Sequence, residues 1–161
     1  MPNPEHRVLR FNTIDDYATE LDRLEAAHAA EGLRTTGSWS PAQNLHHLAR
    51  WIEMYETGRL PEGVPWFVRM VGVLIKGRVL RKGFPKGLQG PDGKAQPEPD
   101  NGFEQSLAFL RSKLDVLRTE DLSHRNPFFG RMSREDCVAL QLRHGEHHLG
   151  FLHPVSGGEP S

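Results

Sequence analysis

One cysteine in 161 residues sets the first limit on this chain. Cys137 alone can build neither an internal disulfide framework nor a paired-cysteine metal site. A reducing cytoplasm is the default compartment for such a sequence. Long apolar runs are also missing: none approaches the ~20 residues that a membrane-spanning helix needs. The start, Met-Pro-Asn-Pro-Glu, has no basic stretch leading into an apolar core, so no secretion signal is expected. Excess charge of one sign is absent as well. Twenty basic and 21 acidic residues leave a net charge of −1, which argues against nucleic acid as the main partner. The length suits one domain, taken as residues 1–155, with a disordered tail at 156–161.

What the chain has in excess is histidine, nine in all. Histidine is the commonest metal ligand and a ready acid or base near neutral pH. Four segments carry helix-start chemistry that places some of these residues. The first runs from about Thr13 to Ala30, with Thr13 as cap and Asp16 three residues on. The second opens on Ser40-Pro41-Ala42-Gln43, a serine cap, an N1 proline and an N3 glutamine. It should continue to about Thr57 and stop at Gly58. Another opens at Asn101-Gly102-Phe103-Glu104 and runs to about Arg118. The last opens at Ser133 and ends near Leu152, before Pro154. Between the second and third lies a long excursion. Trp66 to Leu80 reads as an extra helix despite Gly72 and Gly77, and Gly83 to Pro99 as irregular chain. No strand pair is expected. Four amphipathic helices of this length predict an all-α four-helix bundle, with the extra helix and irregular loop in its central crossover.

On the last helix, Cys137, Val138, Leu140, Leu142, Leu149, Phe151 and Leu152 define a broad apolar arc. Gln141, His144 and His148 fall within it, His147 at its margin, and Arg143, Glu146 and Gly150 outside. Spacing of i and i+4 says little by itself; position on the apolar face says more. An unpaired polar group buried there costs roughly 1–3 kcal/mol, which a metal ion or a hydrogen-bond network would offset. On the second helix Leu45, Leu48, Ile52 and Tyr55 mark the inner face. His46 lies about 160° from its centre and His47 about 100°, so His47 is the better inward candidate. At 1.5 Å per residue, His47 stands roughly 10 Å from its helix start, and His144 and His148 roughly 6–12 Å from their helix end. The three imidazoles meet only if the two helices are antiparallel. Three histidines would leave a coordination position open, and imidazole suits several metals. A core network of hydrogen-bonded histidines, with Gln141 as a member, is the competing account.

Two stretches resemble a known superfamily. Trp39-Ser40-Pro41-Ala42-Gln43-Asn44-Leu45-His46-His47-Leu48 is similar to the second-helix motif of DinB/YfiT-like proteins, and Arg143-His144-Gly145-Glu146-His147-His148-Leu149 to their C-terminal H-x-x-x-H motif. Asn126-Pro127-Phe128-Phe129-Gly130 ahead of a capped helix looks like an uncharacterised branch. The resemblance spans about Arg7 to Pro154. It implies an up-down-down-up bundle, a homodimer, and a divalent metal on His47, His144 and His148. Zinc or nickel comes first, with iron or manganese as alternatives. It also implies a small-molecule substrate, in some relatives a low-molecular-weight thiol, and transferase or hydrolase-like chemistry. The family pattern expects a large aromatic where this chain has Cys137.

The remaining features read more simply. Cys137 is a buried small apolar residue before it is a nucleophile. Arg69, Lys76, Arg78, Arg81, Lys82 and Lys86 make the middle segment basic, a solvated face with anion or membrane-surface contact as the alternative. Trp66, Phe67 and Met70 suit a lid over the metal mouth or a subunit contact. His6, His28, His124 and His153 read as surface or loop residues. Glu53 and Glu56 face solvent, and no acidic residue stands out as a general base. The expectation is a metal-dependent enzyme; the alternative is a non-catalytic helical-bundle protein that binds a partner or ligand or serves in a stress response, its histidines structural.

Overall fold

In the computed structural model, which describes residues 6–60, 62–85, 99–123 and 126–155, the chain forms five helices and one short strand pair. These are α1 (Ile14–Ala29), β1 (Leu33–Thr35), α2 (Pro41–Thr57), α3 (Trp66–Lys82), α4 (Phe103–Thr119), α5 (Arg134–Leu149) and β2 (Leu152–Pro154). The helix starts follow the capping chemistry. Thr13, Ser40 and Ser133 each accept a hydrogen bond from the backbone N–H of the third helical residue, whose side-chain oxygen in turn accepts one from the cap's own backbone N–H. Gly58 ends α2 in the left-handed conformation, at φ 68°.

Apolar residues at helical spacing build the core. Tyr17, Leu21 and Leu24 of α1 meet Leu45, Leu48, Ile52 and Tyr55 of α2, with Leu107, Leu110, Leu114 and Leu117 of α4 and Cys137, Leu140 and Leu149 of α5. Each fully buried leucine contributes about 1.5–3 kcal/mol of transfer free energy. α2 packs on α4 and α5, α1 on the same two helices, and α3 on α5. The helices α2 and α5 run antiparallel: His47 early in α2 meets His144 and His148 late in α5, and Tyr55 late in α2 lies beside Cys137 early in α5.

Several expectations need correction. A strand pair exists: Leu33–Thr35 runs antiparallel to Leu152–Pro154. Three residues are too few to show a period of two, which hid it. α5 accordingly ends at Leu149, short of Leu152. Arg143 and Glu146, placed outside the apolar arc, are 4% and 8% exposed. The segment before α1 crosses that side of α5. Arg7 N–H donates to Gly150 O at 2.8 Å, Phe11 N–H donates to Glu146 Oε1 at 2.5 Å, and Arg143 donates to Phe11 O. His6, expected at the surface, donates to His147 O at 2.8 Å and packs edge-on to Phe151. His28 is partly covered by stacking on Phe103. The tail at 156–161, His124, Lys86 and most of the stretch from Gly83 to Pro99 lie outside the described residues.

The Asn126–Gly130 segment is a tight loop. Asn126 Oδ1 accepts from the N–H groups of Phe128 and Phe129 at 2.8 Å each, its Nδ2 donates to the Tyr55 hydroxyl, and Gly130 supplies φ 72°. α3 lies on this loop at Gly72, where a Cβ would stand 2.1 Å from Phe128 O. At Gly77 the nearest atom is the flexible end of Arg81, 3.7 Å away. Two glycines in one helix therefore respond oppositely to alanine. Gly77→Ala should stabilise by about 0.5–1 kcal/mol through helix propensity. Gly72→Ala should destabilise by about 1–3 kcal/mol through overpacking. Urea unfolding of both variants checks the pair.

Candidate metal centre

His47 reaches the site from the first half of α2, and His144 and His148 from the last turns of α5. One ring nitrogen from each lies within 4.8 Å of the other two, and all three residues are partly exposed. His47 Nε2 is 3.2 Å from His144 Nε2. Zinc–imidazole bonds of 2.0–2.1 Å in a tetrahedron set ligand nitrogens about 3.3 Å apart. That pair already stands at the edge length of such a site, and the three donors fit a divalent ion.

The imidazoles are held in a ligating state. Burial pushes His144 and His148 well below the ordinary histidine value of 6.5, and the neighbouring rings add to it. Both are uncharged at neutral pH, with lone pairs free to bind a cation. His148 has a fixed tautomer. Its Nδ1–H donates to Asn44 Oδ1 at 3.2 Å, which leaves Nε2 as the lone-pair nitrogen. Asn44 is itself oriented, since its Nδ2 donates to Ser40 O at 3.0 Å and Trp39 O at 3.4 Å. The serine cap that starts α2 thus also fixes the amide that aims His148.

Aromatic rings wall the site. Trp39 stacks on His148 with centroids 5.6 Å apart, Trp51 meets His144 edge-on at 5.7 Å, and Phe84 meets His144 edge-on at 5.9 Å. These rings, rather than Trp66, Phe67 and Met70, border the histidines; the latter three are exposed on α3. The expected His47, His144 and His148 are brought together. His46 points elsewhere, to Asn101 and Phe109. His147 packs against His6 and Phe151, and burial lowers its pKa to about 4. Cys137 is 1% exposed and its thiol donates to Leu122 O at 3.0 Å, which matches the small-apolar reading. Gln141 is buried, 4% exposed. Asn44 was missed as a site residue; an asparagine among the buried positions of α2 was the available signal.

The depressed imidazoles set a pH dependence for the metal-free protein. Below pH 6.5 the unfolded chain binds protons that folded His144 and His148 refuse, so their contribution is complete above that pH and lost progressively below it. His147 adds to the same fall between 6.5 and about 4. Urea midpoints of the metal-free protein should drop steadily from pH 7 to pH 4.5. His144→Phe should make that drop shallower.

A family model described as "Protein of unknown function (DUF1569)" matches residues 3–155. Comparison with the curated proteins and with the solved structures finds no match. The matched span takes in both helices that carry the histidines, the Asn126–Gly130 loop and the strand pair. The chain belongs to the DUF1569 family of proteins of unknown function.

Proposed function

We propose that the protein is a metal-dependent enzyme of DinB type, with His47, His144 and His148 as ligands to one divalent ion and a small molecule as substrate. The observation that carries this reading is the convergence of three imidazole nitrogens from two helices within 4.8 Å of one another. A resident ion would supply Lewis acidity and a lowered pKa for a bound water or thiol. The donor set contains no carboxylate or thiolate. Three neutral ligands leave the full double charge uncompensated, which favours an anionic donor such as a thiolate or hydroxide in the open position. A transferase using a low-molecular-weight thiol, or a hydrolase-like activity, follows from that preference. Zinc or nickel suits the set best, with iron or manganese next.

The chain's own residues have defined tasks in this reading. Asn44 fixes the tautomer and ring plane of His148. Trp39, Trp51 and Phe84 limit water around the histidines and offer flat apolar surface to a substrate. We assign α1, α2, α4 and α5 to an up-down-down-up bundle of the DinB kind, with α3 in the crossover, working in the cytoplasm.

One observation favours a second reading. The 3.2 Å contact of His47 with His144 and the Asn44–His148 pair also form a hydrogen-bond network without an ion. Zinc titration of metal-free protein against a chromophoric chelator separates the two. His47→Ala, His144→Ala and His148→Ala should each abolish tight binding, while His46→Ala and His147→Ala leave it nearly intact. Equal loss across all five variants would overturn the ligand assignment. Asn44→Ala should weaken zinc binding about 10–100-fold with the helix content retained.

A further inference from the structure

α3 has one satisfied face and one open face. Gly72 and Val79 are buried against the body, and Lys76 pairs with Asp136 at 2.9 Å. On the opposite side Trp66 is 74% and Leu74 78% exposed, and Phe67, Met70, Val71 and Val73 are each more than half exposed. A contiguous exposed apolar patch of this kind on a folded chain marks an interaction site. Beside it runs a shallow apolar groove of about 370 Å³, lined by Met70, Val73, Leu74 and Gly130 among others.

Charge on the open face is divided along the helix axis. From Trp66 to Leu74 that face is apolar apart from Arg69, which is partly buried at its edge and lines the groove; beyond it Arg78, Arg81 and Lys82 are exposed, and α3 contains no acidic residue. The apolar stretch is centred on Met70, both along the axis and around it. This distribution selects an occupant. A parallel partner helix of the same kind would superpose the cationic ends. An anionic bilayer suits a helix whose apolar face runs its whole length with cations on the flanks, whereas this face changes character halfway.

We infer that the open face of α3 is where two copies of this chain meet, α3 against α3, antiparallel about a two-fold axis beside Met70. In that register Trp66 faces Leu74 of the second copy, Phe67 faces its Val73, and Met70 faces its own equivalent. The cations at 78, 81 and 82 fall beyond the start of the partner's helix. Glu62, the nearest acidic residue ahead of α3, stands at the end that Arg78 of the second copy approaches. The contact is isologous, as a two-fold dimer requires. Six large apolar side chains from each copy would be covered, the composition expected at the centre of a specific interface of ~800 Å² per partner. The inference is independent of the metal centre, which it leaves untouched.

Light scattering and cysteine cross-linking test it on the full chain. Wild type should have about twice the 18.2 kDa chain mass, and Leu74→Glu should be monomeric with unchanged circular dichroism. With a short bis-maleimide, Met70→Cys should cross-link to itself. Trp66→Cys and Leu74→Cys should each fail alone and cross-link when mixed. Cys137, 1% exposed, gives no background. A monomer at high micromolar concentration overturns the inference. So does equal cross-linking at all three positions, or a monomer that binds vesicles of anionic phospholipid.

Discussion

The antiparallel contact of α2 with α5 is the constraint on which the rest depends. Side by side in that sense, the first half of α2 faces the last turns of α5, and His47 meets His144 and His148. Reversing either helix would separate the imidazoles by about 10 Å at 1.5 Å rise per residue. The end of α5 is held from outside. The segment before α1 bonds to Gly150, Leu149 and Glu146, and β2 pairs with β1 directly beyond the helix. With α5 enclosed on that side, the histidine side is the one left partly open.

Enclosure also explains the buried charges. Glu146 and Arg143 lie 3.1 Å apart beneath the N-terminal segment, with Phe11 supplying an N–H to the carboxylate and a carbonyl to the guanidinium. A buried ion pair of this kind contributes little net stability, but losing one partner strands the other at a cost of about 3–5 kcal/mol. It acts as a register pin for the segment that crosses α5. Burial raises the Glu146 carboxyl, while the Phe11 N–H and the nearby Arg10 pull it back. The helix therefore has two polar sides with different tasks. One is paired internally; the other presents uncharged nitrogen donors.

Much of this was legible in the sequence, for physical reasons. Thr13, Ser40 and Ser133 signal helix starts because their oxygens satisfy backbone N–H groups locally, with no knowledge of the fold. His47, His144 and His148 were separable from His46 and His147 because helical periodicity alone sets which way each points. Arg143, Glu146 and His6 were misread because their burial comes from a non-local segment, which no periodicity within α5 reports. The strand pair escaped for the same reason: Leu33 and Pro154 are neighbours only once α1 and α5 are in place. Asn44 stands between these cases. Its inward position follows from the helix, but its role needs His148 on a helix about a hundred residues away.

The most direct test of the account is elemental analysis of untagged protein purified without a nickel column, wild type beside His144→Ala. The wild type should carry about one divalent metal per chain and the folded variant almost none. A folded wild type that acquires no metal, even after incubation with zinc, nickel, iron and manganese, would contradict it and leave the three histidines as a hydrogen-bonded core cluster.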